Sequence, residues 1–117
     1  MKIKELAKKF GITEPTLRYY EQEEILTNVP RKNGIREYTE ENVRIVEFVT
    51  CMRAAGMSIE RLKKYMKLYG VPNTEKARLQ ILEEQYKEVE DKIELLKSSL
   101  DKLNLQINSI KNKELKK

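Results

Sequence analysis

Apolar residues near the start of the chain are spaced three and four positions apart, which places them on one face of a short helix: Ile3, Leu6, Ala7 and Phe10. Gly11 follows at the position where helices commonly end. Thr13 is a good N-cap for a second helix, and Pro15 lies in its first turn, where its missing N–H costs nothing. Two short helices joined by a glycine turn predict a helix-turn-helix.

Residues 25–38 depart from the helical pattern. Pro30 interrupts any helix here, and the pair Asn33-Gly34 favours a two-residue hairpin turn because both residues tolerate a positive φ. The segment predicts a small β-wing that carries basic residues near its tip: Arg31, Lys32 and Arg36.

Two further helices follow the wing. Thr39 is the predicted cap of a helix over 40–54, whose core stripe is Ile45, Phe48, Val49 and Met52. Ser58 is the predicted cap of the next helix, which places on one side Ile59, Leu62, Met66 and Tyr69.

The last segment opens at Thr74 and carries an apolar stripe with alternating steps of three and four residues. This is the a/d pattern of a coiled coil, held for about five heptads. This apolar stripe is roughly 48 Å long, and the small N-terminal part of the chain cannot cover it. A second copy of the chain is therefore the simplest partner. The predicted dimer seam is Leu79, Leu82, Tyr86, Val89, Ile93, Leu96, Leu100, Leu103, Ile107 and Ile110.

Charges beside this stripe favour one orientation of the two copies. In a parallel dimer Lys92 faces Lys97 and no attractive pair forms. In an antiparallel dimer the acidic first part, with Glu83 and Glu90, meets the basic last part, with Lys111. Each exposed pair contributes only a few tenths of a kcal/mol, but differences of that size decide orientation. We therefore predict an antiparallel homodimer.

The predicted fold class is all-α with a small β wing: a winged helix-turn-helix head and a long C-terminal, antiparallel coiled-coil dimerisation helix. The predicted domains are a winged helix-turn-helix DNA-binding domain at 1–70, a coiled-coil dimerisation helix at 74–113 and a tail at 114–117.

Composition narrows the class of function. The chain has 117 residues and a net charge of +5, and residues 1–70 hold most of the excess, with 14 basic against 10 acidic side chains. A basic head favours a polyanionic partner.

The chain has one cysteine and no histidine. A single cysteine excludes an internal disulfide and favours a reducing compartment. With no signal-peptide or membrane-span pattern, the expected location is cytoplasmic. The sequence shows no Ser/His/Asp set, no Gly-rich phosphate loop and no metal-binding cluster, so we expect no enzyme activity and no cofactor. Because it has no membrane-span pattern, we also expect no membrane partner.

The second helix offers the strongest candidate chemistry. In a helix-turn-helix this helix enters the major groove, and here it presents Thr13, Thr16, Arg18 and Tyr19. Arginine can bind guanine or a phosphate bidentately, and tyrosine hydroxyls commonly bond phosphates. From the wing, Lys32 and Arg36 would lie on the adjacent backbone or minor groove. The alternative is a small helical bundle with ordinary surface charges, and for Tyr20 core packing is favoured.

The stretches "KIKELAKKFGITEPTLRYYEQEEIL" and "RKNGIREYTEENVRIVEFVTCMRAAGMSIERLKKY" resemble the MerR (mercury-resistance regulator) family. The resemblance covers residues 1–69 densely. It implies an antiparallel homodimer that binds a palindromic promoter operator in double-stranded DNA, then bends and untwists it so that RNA polymerase can engage both promoter elements. It also implies that Arg18, Tyr19, Arg36 and Tyr38 hold the DNA.

Sensing in this family uses cysteines in several ways. Residues 71–117 contain no Cys and no His, so a thiolate or imidazole metal site is not expected there. The stretch around Cys51 resembles the subgroup thought to answer reactive aldehydes and thiol stress through a single cysteine. Cys51 is therefore a candidate sensor, and the alternative is a small packing residue. A regulator without cysteine-based sensing, a coiled-coil protein-interaction adaptor and a non-specific nucleoid protein stay open as alternative functions.

Overall fold

The computed structural model describes residues 1–115 and divides the chain into two compact units, Met1–Ile81 and a second that begins at Leu82. The chain forms five helices and one two-stranded sheet within that range. In chain order the elements are α1 (Ile3–Phe10), α2 (Glu14–Gln22), β1 (Arg31–Lys32), β2 (Ile35–Arg36), α3 (Glu40–Ala54), α4 (Ile59–Leu68) and α5 (Glu75–Leu115). The predicted mostly helical fold with a small β-wing is confirmed.

Short polar side chains cap the N-terminal ends of α2, α3 and α4. The Thr13 hydroxyl accepts a hydrogen bond from the backbone N–H of Thr16 at 3.2 Å, and the Ser58 hydroxyl accepts one from Arg61 at 3.0 Å. Thr39 and Asn42 cap each other reciprocally, each side chain accepting the other's backbone N–H. These bonds satisfy N–H groups that have no partner inside the helix, so the three predicted caps set the helix starts.

Two turns fix the path of the chain through the helix-turn-helix and the wing. Gly11 ends α1 with φ 66°, and its N–H bonds back to the last turn. In the wing, Asn33 and Gly34 have φ values of 54° and 78°. Positive φ at both positions matches the two-residue turn that suits the twist of a hairpin. The strands pair antiparallel, with Arg31 opposite Arg36.

The core of the first unit collects apolar side chains from α1 through α4. The largest fully buried ones are Leu6, Leu17, Ile25, Leu26, Val46, Val49, Met57 and Leu62. Leu6 and Leu17 come from the two helices of the helix-turn-helix, so the same residues that pack the core fix the relation between α1 and α2.

The buried face of α3 is rotated relative to the predicted stripe. Val46 is 1% exposed, whereas Phe48 and Met52 are only half-buried. Asn42 explains the rotation: it is 2% exposed, because its side chain caps Thr39 and donates to the carbonyl of Thr27. A polar residue at a buried position broke the apolar pattern from which the face was predicted.

The buried face of α4 also differs from the prediction, since Ile59 and Met66 are only half-buried. Tyr65 is 8% exposed and packs against Phe48 with ring centroids 5.2 Å apart, while Tyr69 is 41% exposed. The Tyr69 hydroxyl donates to a carboxylate oxygen of Glu41 at 2.7 Å. This surface hydrogen bond ties the end of α4 to the start of α3 and keeps the ring partly in solvent.

The apolar stripe of α5 is largely exposed in the single chain. The exposed fractions of eight a/d side chains run from 46% to 68%: Leu79, Tyr86, Ile93, Leu96, Leu100, Leu103, Ile107 and Ile110. Leu82 and Val89 are half-buried. Helix α5 continues to Leu115, past the predicted end at 113. The last two residues of the predicted tail lie outside the described residues. The predicted division at 70–74 into DNA-binding and dimerisation domains stays a prediction.

None of the helices in the described range is both long enough and apolar enough to cross a membrane.

Candidate nucleic-acid interface

Helix α2 buries one side and presents the other to solvent. Leu17 is fully buried and Tyr20 is 5% exposed, in agreement with the predicted core role of Tyr20. On the opposite side Arg18 is exposed and Tyr19 is 41% exposed. The Arg18 guanidinium forms no hydrogen bond or ion pair with the residues that the structure describes. Its five donors are therefore available to an external partner.

Two hydroxyls lie at the N-terminal end of α2. The Oγ1 atoms of Thr13 and Thr16 are 2.8 Å apart, and Thr13 also caps the helix. Thr13 is exposed and Thr16 is half-buried. Because each hydroxyl can donate one hydrogen bond and accept two, both keep capacity beyond their mutual contact. The structure thus places Thr16, Arg18 and Tyr19 within α2 and Thr13 at its N-cap.

The wing carries exposed cations on β1. Arg31 and Lys32 are both exposed, and Arg31 donates weakly to the carbonyl of Gly34 across the turn, at 3.4 Å. Lys32 lies opposite Ile35, itself 57% exposed. Arg36, on β2, is the predicted wing residue that is already engaged within the protein.

Glu21 joins helix α2 to the wing. Its Oε2 accepts a hydrogen bond from Arg36 Nε at 2.7 Å, and its Oε1 accepts one from the Tyr38 hydroxyl at 3.3 Å. The Arg36 and Glu21 side chains are only 25% and 17% exposed, so the ion pair is partly shielded from solvent. Glu21 was not among the predicted site residues. The sequence could have drawn attention to Glu21, because it is a carboxylate on a helix predicted to face DNA. An unpaired negative charge there would repel phosphates.

Tyr38 lies in the core instead of at the surface. It is 3% exposed. Burial, together with the negative charge of Glu21, raises the pKa of Tyr38 to about 12, so the phenol is protonated at neutral pH. The family resemblance implied that Tyr38 holds DNA, but this placement leaves little of its surface for a phosphate. The structure instead directs its hydroxyl at Glu21.

Ion pairs also anchor both ends of the candidate surface to the rest of the head. Lys63 on α4 bonds Glu23, just after α2, at 2.8 Å. Glu37, just after β2, bonds the Lys2 ammonium and the Met1 amino group. The hydrogen bond from Lys2, followed by that from Met1, lowers the pKa of Glu37. These contacts hold α2 and the wing against α4 and the beginning of α1.

Comparison with known proteins identifies the family. The model of the MerR helix-turn-helix family of regulatory proteins matches residues 1–68, more than half of the chain. The chain belongs to the MerR family. A second model, described as MerR, DNA binding, matches residues 43–105.

Individual MerR relatives agree with this assignment. The transcriptional regulator AdhR of Bacillus subtilis is 46% identical over 87 residues, which are 73% of this chain and 62% of AdhR. The chain thus spans less than two thirds of the length of AdhR. A MerR family regulator from Listeria monocytogenes has a similar structure, with a TM-score of 0.84, 34% identity and coverage of 92% of this chain and 83% of that one.

A third MerR relative was solved with nucleic acid. It is HiNmlR, a MerR family regulator lacking the sensor domain, bound to promoter DNA, with a TM-score of 0.83 and 31% identity. The match covers 91% of this chain and 86% of HiNmlR. AdhR and HiNmlR are both named as regulators, in agreement with the family description of a MerR helix-turn-helix regulatory protein.

The candidate MerR sensor residue lies on α3, away from the predicted DNA-binding residues in sequence. Cys51 is a free, exposed thiol, which argues against the alternative that it is a packing residue of the head. The two nearby basic residues are engaged elsewhere: Arg44 bonds Glu41, and Arg53 donates to the carbonyl of Met57. Among the described residues no group of three or more His, Cys, Asp or Glu side chains could hold a metal ion.

Proposed function

We propose that this MerR family member is a homodimeric transcriptional regulator that binds a palindromic promoter operator and distorts the DNA. The observation that carries the proposal is the exposed side of α2, with free Arg18, fixed beside a cationic wing by the Glu21–Arg36 ion pair. The promoter-DNA complex of HiNmlR supports it, since that protein shares the fold over most of both chains.

Helix α2 supplies the contacts to base edges and to the flanking phosphates. In a helix-turn-helix the first residues of the second helix reach the bases, which assigns that role to Thr13, Thr16 and Arg18. Tyr19 is placed for a phosphate through its hydroxyl. A guanidinium can bind the O6 and N7 atoms of guanine bidentately, so we assign base readout to Arg18.

The wing supplies contacts to the DNA backbone. Lys32 is a flexible point charge suited to a phosphate. Arg36 keeps its terminal nitrogens for a phosphate while its Nε bonds Glu21. Tyr38 is assigned an indirect role, because its hydroxyl supports Glu21 from within the core.

The homodimer follows from the exposed stripe on α5. A narrow row of large apolar side chains on one helix is typical of a coiled-coil seam, and a second copy offers a matching row. Palindromic operators mirror the twofold symmetry of such dimers, with one head on each half-site. Distortion of the DNA between the half-sites, and its engagement by RNA polymerase, are the parts of the proposal that derive from the family resemblance.

Orientation of the two α5 helices can be tested by disulfide cross-linking in a Cys51→Ser background. In the antiparallel register that pairs Ile93 with the partner's Leu96, Leu82 lies beside the partner's Ile107, whereas the two copies of Leu82 are roughly 38 Å apart along the axis. We expect a mixture of Leu82→Cys and Ile107→Cys chains to cross-link on non-reducing gels, and Leu82→Cys alone not to. A parallel dimer would instead cross-link Leu82→Cys alone, because d positions then meet their own copies.

The operator itself can be recovered with the purified chain. We expect selection from a random duplex library to yield a palindrome bound at least about 1,000-fold more tightly than a scrambled duplex at physiological salt. Gel shifts and sedimentation measured on the same sample give affinity and stoichiometry. A ratio near one would replace the proposal with non-specific binding, and no binding at all would favour the coiled-coil adaptor.

We further propose that electrophilic modification of Cys51 triggers the regulator. Its thiol is free and exposed in the single chain. Cys51→Ser and Cys51→Ala should bind the selected operator within about twofold of the wild type, since exposed substitutions usually change little. Both variants should lose the formaldehyde response of a reporter gene under that operator. Retained induction in either variant would leave a MerR-like regulator without cysteine-based sensing.

A further inference from the structure

Glu21 is a carboxylate on the helix that the proposed function places against DNA, yet it does not face solvent alone. Both of its oxygens bond residues of the wing region, Arg36 and Tyr38. We propose, on the basis of that function, that Glu21 is a positioning residue. It fixes Arg36, and with it the wing, at a set distance from helix α2 without touching DNA itself.

The geometry favours positioning over a merely surface ion pair. The Arg36 and Glu21 side chains are 25% and 17% exposed, so solvent screens their attraction less than it screens an exposed pair. The bond uses Arg36 Nε, which leaves the two terminal nitrogens of the guanidinium oriented and able to donate. The Tyr38 hydroxyl holds the second oxygen of Glu21 from a buried side.

Pre-orienting Arg36 serves selectivity more than total affinity. A specific complex requires α2 in the groove and the wing on the backbone at the same time, so a freely moving Arg36 would have to be ordered on binding. Non-specific binding depends mainly on net positive charge. Truncating the Glu21 side chain, which removes the acceptors that hold Arg36, should therefore preserve or raise affinity for arbitrary DNA while it lowers affinity for the operator.

The test compares three single variants on the selected operator and on a scrambled duplex. Glu21→Ala should lower the ratio of operator to scrambled affinity by about tenfold. Glu21→Gln keeps an acceptor for Arg36 Nε and a donor for Tyr38, so its ratio should stay within about threefold of the wild type. Glu23→Ala is the matched control, because it breaks an ion pair at the same end of α2 but to Lys63 instead of the wing.

A double-variant cycle separates positioning from general destabilisation. If Glu21 acts through Arg36, adding Glu21→Ala to Arg36→Ala should lower the ratio no further than Arg36→Ala alone. Circular dichroism at the binding temperature confirms that each variant is folded, and Glu21→Gln keeps the test open if the alanine variant unfolds.

Three results would overturn the positioning role: an unchanged ratio in Glu21→Ala, an equal loss in Glu23→Ala or in Glu21→Gln, or additive losses in the double variant. Failure of the proposed function is distinct, because then the wild-type chain itself selects no operator.

Discussion

Replacing both Ile93 and Leu96 by aspartate is expected to convert the dimer into a monomer and to weaken operator binding by at least about 100-fold. The two residues lie at the centre of the proposed antiparallel seam and are 47% and 64% exposed in the single chain. A dimer would bury the exposed half of both from each copy, four side chains in all, each contributing about 1 kcal/mol. Four carboxylates at that place would instead be desolvated without partners.

The chain offers a matched control for this experiment. Leu95 and Leu105 are 67% and 71% exposed but lie off the a/d stripe, so Leu95→Asp with Leu105→Asp adds the same charge to the same helix on its outer side. Sedimentation velocity should show a dimer for the control and a monomer for Ile93→Asp with Leu96→Asp. A dimer in both, or a monomer in both, would contradict the assigned seam.

The loss of operator affinity follows from the loss of the contact with the second half-site. A dimer binds two half-sites with one loss of translational freedom, whereas a monomer holds one half-site alone. The core of the head lies within Met1–Ile81, away from the substitutions in sequence. Thermal unfolding followed by circular dichroism should therefore still report a folded head in the monomeric variant.

Replacing Arg18 by alanine is expected to cost base discrimination of about 1–3 kcal/mol at one operator position, if the guanidinium binds guanine bidentately. Arg18 is exposed and forms no hydrogen bond or ion pair with a described residue, so its removal leaves no internal partner unsatisfied. The measurement is a set of competition gel shifts with operators changed one base pair at a time. The variant should become indifferent to one symmetric pair of positions.

Two control variants separate base readout from phosphate binding. Arg18→Lys keeps the charge but not the planar fork, so it should lose most of the discrimination as well. Lys32→Ala, on the exposed wing, should weaken all duplexes alike and reduce the salt dependence by about one phosphate contact per chain, or about two per dimer. If Arg18→Ala behaves as Lys32→Ala does, Arg18 is a phosphate contact and the base readout belongs to another residue.

Features encoded by neighbouring residues were predictable from the sequence. The caps at Thr13, Thr39 and Ser58, the end of α1 at Gly11 and the hairpin at Asn33-Gly34 each depend on contacts within a few positions. The continuous a/d stripe predicted α5 for a similar reason, because its period is a property of one helix.

Features that depend on residues distant in sequence were missed. The Glu21–Arg36 pair joins residues 15 positions apart, and no periodicity connects a helix to a wing. The buried face of α3 was shifted because Asn42, a polar residue, serves the carbonyl of Thr27 and so belongs inside. The family resemblance assigned Tyr38 to DNA, and only the fold shows that its ring is buried and that its hydroxyl donates to Glu21.

If the exposed stripe on α5 pairs two copies as proposed, the output of the regulator would be sensitive to gene dosage. If only dimers bind an operator, the concentration of dimer at low abundance grows with the square of the concentration of chains. Halving synthesis would then cut the amount of the paired form by roughly fourfold. A cell that holds few copies would thus switch the target promoter over a narrow range of expression.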